Sequence, residues 1–253
     1  MSRLALASCS LALLLVSAGC AHTPSEKERR SAEIHYDLAL QAQQQGNMQE
    51  ALRELNVSLE NDPDYPEAHN ALGILLHLSF RRPDEAIAHY ERALKVRPSF
   101  SEARTNLANV HLDQGRYDEA IKLYEQVLND MLYPTPYIAQ GNMGWAYYKK
   151  GDTERALESI KAAVTTNPSF CLGYKNLGII YDGAGRTDDA CRQYTRYREA
   201  CPDVGDAYLR EGVCQAKRGQ VDAAKAAFSQ CEAKAKAAEH ELRDDCRRLL
   251  EKL

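Results

Sequence analysis

Cysteine is the residue type in this sequence whose number and placement most directly suggest chemistry. Eight cysteines occur among 253 residues, and six of them lie in the last third of the chain: Cys171, Cys191, Cys201, Cys214, Cys231 and Cys246. They include no CxxC pair and no Cys/His spacing of a zinc site. An even number of cysteines in an exported chain indicates disulfides, for which six residues allow fifteen pairings. Free thiols in the core are the alternative.

The first twenty residues, MSRLALASCSLALLLVSAGC, predict export. Arg3 precedes an apolar run over residues 4–16, which is too short to span a bilayer comfortably and is typical of a secretory signal peptide over residues 1–19. The ending VSAGC resembles the lipobox of bacterial lipoproteins, with Ser17 where Leu is commonest. That resemblance implies cleavage before Cys20 and acylation of this residue. A simple signal peptide cleaved nearby and a membrane-inserted helix are the alternatives.

A lipid on Cys20 would attach the chain to a membrane, since each buried CH₂ group contributes about 0.8 kcal/mol. The next residue is Ala21 rather than Asp, which in such lipoproteins favours the outer membrane. We therefore expect a lipid-anchored protein of the outer membrane that faces the periplasm. Residues 21–31 are polar, so residues 20–31 are expected to form the lipidated cysteine and a flexible tether.

The seven histidines do not form a catalytic or metal-binding pattern. They show no HxxxH spacing, and the chain has no phosphate-binding glycine loop and no nucleophile elbow. We therefore expect no enzymatic activity, no cofactor, no metal and no small-molecule substrate. A net charge of −4 without a basic cluster argues against a nucleic-acid partner.

A repeat of about 34 residues predicts the fold. Alanine recurs at intervals of 35, 34, 36, 34 and 34 residues, and a large aromatic or aliphatic residue follows each alanine four positions later. The alanines are Ala51, Ala86, Ala120, Ala156, Ala190 and Ala224, and the large residues are Leu55, Tyr90, Tyr124, Ile160, Tyr194 and Phe228. This pattern predicts antiparallel helix pairs whose backbones approach closely at small residues.

Glycines and prolines mark the ends of the predicted helices. Five glycines occupy the turn within a pair, and prolines stop the second helix. The glycines are Gly46, Gly115, Gly151, Gly185 and Gly219, and the prolines are Pro63, Pro98, Pro134, Pro168 and Pro202. In the second repeat, residues 80–83 (FRRP) replace the glycine and predict a longer turn.

These features in phase resemble the tetratricopeptide repeat. The resemblance implies an all-α fold, a right-handed solenoid of six helix-pair repeats over residues 32–235, and a C-terminal capping helix over residues 236–253. In that arrangement the cysteines fall into three neighbouring pairs. We predict the disulfides Cys171–Cys201, Cys191–Cys214 and Cys231–Cys246, which would stabilise terminal repeats that have a neighbour on only one side.

The first helix of each repeat is expected to line a concave groove. The residues predicted to face it are Tyr36, Leu40, Asn70, Ile74, Leu78, Asn109, Leu112, Ile138, Trp145, Tyr148, Ile179, Leu209 and Val213. An apolar groove with a polar rim suits an amphipathic helix or an extended peptide. Packing between neighbouring helices is the alternative, and it stays open for Leu112 and Ile179. Trp145, the single tryptophan, lies in the central repeat and is our first candidate for a binding hot spot.

The regular spacing slips once, in the stretch DMLYP of residues 130–134. The closing proline follows the repeat alanine by 12 residues in the first, second, fourth and fifth repeats, but by 14 in the third. A tolerated loop insertion is the simple explanation. Together with the lipobox and the six repeats, however, this junction resembles the pilotins of type IV pilus biogenesis, the PilF/PilW group, and among them the myxobacterial pilus lipoproteins. The residues that carry the resemblance are Asp130, Leu132, Tyr133, Pro134, Asn142 and Gly144.

The resemblance implies a lipoprotein that binds the type IV pilus secretin in its groove and helps it reach, and assemble in, the outer membrane. Two other classes stay open. A repeat lipoprotein of β-barrel assembly or of peptidoglycan-hydrolase scaffolding would also have a lipobox, although the Leu132-Tyr133-Pro134 junction is not expected there. A periplasmic enzyme with a repeat shell is disfavoured by the absence of a catalytic motif.

Overall fold

The computed structural model describes residues 23–253, which form thirteen α-helices and no strand. The predicted signal peptide and the predicted lipidation site Cys20 lie outside the described residues. None of the thirteen helices is long and apolar enough to cross a membrane. The helices are α1 (Glu26–Gln44), α2 (Met48–Asn61), α3 (Pro66–Leu78), α4 (Pro83–Val96), α5 (Ser101–Asp113), α6 (Tyr117–Leu128), α7 (Pro136–Lys150), α8 (Thr153–Thr166), α9 (Cys171–Gly183), α10 (Thr187–Ala200), α11 (Gly205–Lys217), α12 (Val221–Lys234) and α13 (His240–Glu251).

Consecutive helices pack as pairs that follow one another along the stack. Each odd-numbered helix contacts the even-numbered helix that follows it, each even helix contacts the next odd one, and α13 packs on α12. The connections are short, so that neighbouring helices run antiparallel. The prediction of an all-α stack of six helix pairs closed by a C-terminal helix is confirmed.

Each pair is held together where a large side chain of the even helix meets a small residue of the odd helix. A Cβ atom at Gly178 would lie 2.3 Å from Cε1 of Tyr194, and one at Gly73 would lie 2.6 Å from Cε1 of Tyr90. Ring and backbone are therefore in direct contact, and a side chain at either glycine would push the helices apart. The repeated alanines of the even helices are fully buried at the same crossings: Ala51, Ala86, Ala120, Ala156, Ala190 and Ala224.

The turn inside each pair contains one residue with left-handed backbone. In five pairs this residue is glycine, with φ between +71° and +96°. In the second pair it is Arg81, with φ +57°, the one non-glycine residue with positive φ within residues 23–253. The turn at this point spans residues 79–82 and is longer than the other turns within pairs, in keeping with the FRRP sequence.

The predicted tether over residues 20–31 is too long, because α1 already begins at Glu26. Ser25 and Glu28 form a capping box: the Glu28 backbone N–H donates to Ser25 Oγ at 3.3 Å, and the Ser25 backbone N–H donates to Glu28 Oε2 at 2.7 Å. This reciprocal bonding satisfies two N–H groups at the start of the helix. The sequence after Ser25 is rich in helix-forming residues, so the helix extends six residues further than the repeat pattern predicts.

Three disulfides join the C-terminal helices of the structure. They are Cys171–Cys201, Cys191–Cys214 and Cys231–Cys246, with Cα–Cα distances of 5.9, 5.5 and 6.0 Å, and they are the pairs that the repeat arrangement predicts. Cys171 begins α9 and Cys201 directly follows α10. Odd helices thus begin where even helices end, and we call this side of the stack the junction edge.

We expect replacement of both Cys231 and Cys246 by Ser to release α13 from the stack. The bond closes a loop of 15 residues, and a loop of this size contributes about 3 kcal/mol. Hydrogen exchange read by mass spectrometry should show fast exchange in α13 and unchanged protection in the first four helix pairs. The matched control replaces Cys171 and Cys201 by Ser, which should leave α13 protected. A double variant whose α13 exchanges as slowly as in the wild type would contradict this role.

Two histidines face each other between α3 and α4. His69 Nε2 lies 3.0 Å from the Pro63 carbonyl oxygen, so this nitrogen carries the proton and donates. His69 Nδ1 then accepts from His89 Nδ1–H across 2.9 Å. Burial lowers the pKa of both histidines, and for His89 to about 4, with the neighbouring His69 adding to the effect. The pair is therefore neutral at pH 7.

This pair should make stability depend on pH. Both folded-state pKa values lie below the ordinary 6.5, so the stabilisation is fully present above pH 6.5 and is lost as the pH falls towards 4. We expect His89→Gln to flatten the pH dependence of the free energy of unfolding by about 1–3 kcal/mol over this range. Thermal unfolding followed by circular dichroism measures the effect. His240 is exposed, and His240→Gln is the control. Equal pH dependence of the free energy of unfolding in the wild type, His89→Gln and His240→Gln would contradict this role of the histidine pair.

Candidate protein-binding groove

The odd-numbered helices line one face of the stack. Besides its neighbours along the chain, α3 contacts α5, α5 contacts α7, and α7 contacts α9. In a curved stack, helices that also touch their second neighbours lie on the side of smaller radius. We call the surface formed by the odd helices the groove.

Ten of the residues predicted to face the groove lie on the odd helices α1 to α9, and none of the ten is fully buried. Nine are half-buried and Leu78 is 58% exposed. They are Tyr36 and Leu40 on α1, Ile74 and Leu78 on α3, Asn109 and Leu112 on α5, Ile138, Trp145 and Tyr148 on α7, and Ile179 on α9. Contact of these residues with a partner stays a prediction. Asn70, also predicted to face the groove, is only 5% exposed, because it is bonded beneath its neighbours.

A cleft of about 260 Å³ opens in the groove where α3, α5 and α7 meet. Leu78 and Leu112 give it apolar walls, and His77 and Asp113 lie beside them with His77 Nε2 3.0 Å from Asp113 Oδ2. Leu112 serves both roles that the sequence left open. It lines the cleft and also packs against buried side chains on both sides of it.

Side-chain amides form a row along this cleft. Asn106 Nδ2 donates to Asn70 Oδ1 at 3.0 Å, and Asn142 Nδ2 donates to Asn109 Oδ1 at 2.9 Å. From the even helix behind, the Tyr124 hydroxyl also donates to Asn109 Oδ1, at 2.6 Å. An asparagine amide has two N–H donors and an oxygen with two lone pairs, so the row retains capacity to bond to the backbone of a bound segment.

The sequence-based prediction did not recognise this row as a unit. It included Asn109 as a groove residue and Asn142 only as part of the junction motif, and it omitted Asn106. The signal was present in the repeats, since Asn106, Asn142 and Asn176 each stand two positions before the small crossing residue of their helix. A search for polar residues at fixed repeat positions would have found it.

Trp145 lies half-buried on α7 beside a second aromatic residue. Its ring centroid is 5.2 Å from that of Tyr148, and Lys149 Nζ lies 5.9 Å from the Trp145 ring centroid. Trp145 is not among the side chains packed against the buried clusters, whereas Tyr148 is. The indole is therefore at the groove surface, where Lys149 makes a cation–π contact with it.

The C-terminal end of the groove is charged. Lys175 Nζ and Arg210 Nε lie 2.9 and 3.0 Å from Asp206 Oδ2. Burial acts to raise the pKa of Asp206, but Lys175 and Arg210 outweigh burial and hold this pKa below its ordinary value. Leu209 and Val213 line a small cleft beside Arg210. The groove thus changes from apolar and amide-lined in its first half to ion-paired between α9 and α11.

The junction after α6 is an ordered turn. Residues 129–135 connect α6 to α7, whereas the other connections between pairs in the first five repeats have four residues, as in 97–100. The Asp130 carboxylate accepts from the Ser101 hydroxyl at 2.6 Å and from the Leu132 backbone N–H at 3.0 Å. These two donors, Ser101 first, lower the pKa of Asp130, so the carboxylate is ionised and the turn intact at neutral pH.

Within this turn the side chains divide between inside and outside. Tyr133 packs against the buried cluster of α5 and α6, and its hydroxyl lies 3.3 Å from Thr105 Oγ1. Met131 and Leu132 point away from the protein and are 97% and 91% exposed. Of the predicted junction residues, Asp130 and Tyr133 therefore hold the turn, and Leu132 is presented by it.

The described residues contain no group of three or more His, Cys, Asp or Glu side chains that could hold a metal ion. Two histidines of the odd helices have local carboxylate partners: His77 contacts Asp113, and His35 Nδ1 lies 2.6 Å from Glu54 Oε2. The arrangement of the groove is suited to binding a polypeptide.

Comparison with known families assigns the repeats. One model of the tetratricopeptide repeat matches residues 36–79, 74–137 and 175–239, and a second matches residues 138–170. The chain belongs to the tetratricopeptide repeat family. The predicted repeat type is thereby confirmed over nearly the whole solenoid.

Curated relatives of this repeat protein include assembly factors. The type IV pilus assembly protein PilF of Pseudomonas aeruginosa is 27% identical over 157 residues, which are 60% of this chain and 62% of PilF. The photosystem I assembly protein Ycf3 of Prochlorococcus marinus is 36% identical over 78 residues, which are 29% of this chain and 43% of Ycf3. The chain spans less than two thirds of the length of these relatives.

Two solved structures resemble nearly the full repeat stack. PilW, a widely conserved type IV pilus biogenesis factor, superposes with a TM-score of 0.73 at 23% identity, over 85% of this chain and 97% of PilW. Pseudomonas aeruginosa PilF superposes with a TM-score of 0.71 at 18% identity, over 88% of this chain and 99% of PilF. At these identities the similarity establishes the fold.

We expect Trp145→Ala to cost little stability, about 1 kcal/mol, because the ring lies on the groove surface. The adjacent Gly144→Val is the contrasting variant and should cost about 3 kcal/mol. A Cβ atom at Gly144 would lie 2.6 Å from Ile160 Cγ1 and 3.0 Å from the Ala156 carbonyl oxygen. The melting temperatures of both variants show whether the Trp145 ring lies on the groove surface or in the core. A collapse in Trp145→Ala as large as that in Gly144→Val would mean that the indole belongs to the core.

Proposed function

We propose that this protein acts in type IV pilus biogenesis by holding a segment of another protein in its groove. The observation that carries the proposal is the groove itself, where Leu78 and Leu112 offer apolar surface beside the amides of Asn106 and Asn109. Trp145 adds a half-buried aromatic side chain on α7. The similarity to PilF and PilW supports the pilus as the system in which it works. The role is one of binding and positioning, and no bond needs to be made or broken.

The bound segment would use both kinds of surface. Apolar side chains enter the cleft between Leu78 and Leu112 and contact the face of Trp145, while the amides bond to polar groups of the segment. Preformed hydrogen bonds within the amide row keep these side chains in place, which lowers the entropy lost on binding. An amphipathic helix or an extended peptide fits this combination.

We further propose that the partner is the type IV pilus secretin and that the protein is a pilotin, anchored by a lipid on Cys20 to the periplasmic face of the outer membrane. The lipobox-like sequence before Cys20 and the junction over residues 130–134 support this assignment, as does their resemblance to the PilF/PilW group and, within it, to the myxobacterial pilus lipoproteins. Attachment to the membrane would concentrate a bound secretin subunit where it must assemble, and would shield a β-rich subunit from aggregation.

A deletion strain tests the pilotin proposal. Loss of heat-stable secretin multimers with normal porin levels, restored by the wild-type chain but poorly by Trp145→Ala, is the expected result. Loss of porins would instead favour a scaffold of β-barrel assembly, and altered peptidoglycan-hydrolase activity would favour the hydrolase-scaffold alternative. Normal secretin multimers in the deletion strain would overturn the proposal.

We expect Cys20→Ala to abolish attachment to the outer membrane while leaving the fold intact, because residue 20 precedes the first helix of the described residues. The variant should leave the outer-membrane fraction, and secretin multimers should drop about tenfold or more through loss of local concentration. Fractionation, immunoblotting and mass spectrometry for acyl chains measure these effects. Cys9→Ala, within the predicted signal peptide, is the matched control and should behave as wild type. Retention of the Cys20→Ala chain in the outer membrane would refute the lipid anchor.

A further inference from the structure

Met131 and Leu132 form an apolar tip that lies outside the groove. At 97% and 91% exposure they are the most exposed large hydrophobic side chains of the described residues. The tip belongs to the seven-residue connection between α6 and α7 and therefore lies on the junction edge. Neither the core nor the proposed groove function accounts for two adjacent apolar side chains in this position.

Three backbone N–H groups of residues 130–133 are bonded within the chain. The N–H group of Asp130 donates to the Val127 carbonyl oxygen at 3.0 Å, and that of Tyr133 donates to the Asp130 carbonyl oxygen at 3.1 Å. The Leu132 N–H donates to the Asp130 carboxylate, and the following residue, Pro134, has no N–H group. These bonds lower the cost of bringing the tip close to hydrocarbon, where each unsatisfied polar group costs several kcal/mol.

The isolation of the tip distinguishes it from the centre of a protein interface. A protein hot spot is normally set among neighbouring side chains of its own surface, which exclude water around it. Met131 and Leu132 project almost completely, so neighbouring side chains cover very little of them. Projecting apolar side chains without a rim suit insertion into a fluid phase that closes around them, as in the shallow insertion of apolar side chains into a bilayer.

The position of the tip relative to the start of the fold points in the same direction. α1 begins at Glu26, and because odd helices begin at the junction edge, the chain enters the solenoid from the edge that carries the tip. An attachment near the N-terminus would therefore bring this edge, and not the opposite one, towards a membrane. The tip would then be a second point of contact with the membrane, in addition to the N-terminal attachment and further along the stack.

We propose that Met131 and Leu132 insert into the boundary between headgroups and acyl chains of a phospholipid bilayer, and thereby orient the junction edge against the membrane. Two side chains supply too little apolar surface to hold the protein alone, so the tip sets the orientation of a chain that is attached at its N-terminal end. The inference rests on the proposed attachment at the N-terminal end, but it does not depend on which partner occupies the groove.

Tryptophan fluorescence tests the insertion directly. A chain of residues 21–253 contains all thirteen helices, and a histidine tag before residue 21 attaches it to vesicles of phosphatidylcholine and phosphatidylglycerol with a nickel-chelating lipid. Leu132→Trp is introduced together with Trp145→Phe, so that the probe is the sole tryptophan. We expect fluorescence to fall by about half when the acyl chains are brominated, because the probe sits at their boundary.

The matched control is Val221→Trp in the same Trp145→Phe background. Val221 is also an exposed apolar residue, 41% exposed, but it begins an even helix and lies on the opposite edge. It should show no quenching. Equal quenching at the two positions, or none at position 132, would overturn the proposal, and either result would leave the groove and its partner untouched.

A photo-crosslinking amino acid at position 132 of the full chain separates lipid from protein in cells. Adducts with lipid alone support insertion. A cross-link to a single protein species would overturn the proposal and make the tip part of a protein interface.

Discussion

The contact on which the whole stack depends is the close approach of a large side chain to a small residue within each helix pair. The Tyr194 ring lies where a Cβ atom of Gly178 would be, and the Phe228 ring is placed in the same way at Gly212. Because one pair cannot bury its own apolar face, this contact is repeated six times and the pairs stack. The odd helices then form a continuous inner surface, and the residues between the crossing positions become available to a partner. Groove and core are thus two faces of the same helices.

The two ends of a solenoid lack a neighbour on one side, and this chain treats them differently. At the C-terminal end three disulfides and α13 take the place of missing contacts, and the buried pair Cys231–Cys246 lies at the interface of α12 and α13. At the N-terminal end a capping box fixes the start of α1, but Ile34 and Leu38 are still 53% and 42% exposed. Covalent bonds therefore replace apolar burial at one end only.

The sequence was sufficient for the repeated features and insufficient for the single ones. The alanines, glycines and prolines predicted the six pairs because the same residue types recur at the same positions of successive repeats. The cysteine pairs followed from the antiparallel arrangement of the helices. The start of α1 was missed because a capping box at Ser25 is a local signal outside the repeat. Asn106 was missed because its role appears only when neighbouring odd helices bring the amides together, and Asn70 was placed in the groove although its neighbours cover it. The sequence repeat predicts on which helix and on which face of it a residue lies. How deeply the side chain is buried depends on the side chains around it.

The slip after the third repeat illustrates how such a stack can change without loss of stability. The two extra residues fall between pairs, where stacking energies depend only on the flanking helices. Asp130 and Tyr133 hold the longer connection in place. Asp130 accepts a hydrogen bond from Ser101, and Tyr133 contacts Thr105 and packs against the buried cluster of α5 and α6. The added length is thereby displayed at the surface as Met131 and Leu132 and does not enter the core. An insertion that kept the repeat contacts but buried its apolar residues would have had to displace a neighbouring helix. Displaying them keeps the crossing contact of the third pair, although α6 has 12 residues where the other even helices have 14. It also adds an apolar surface that the regular repeats do not have.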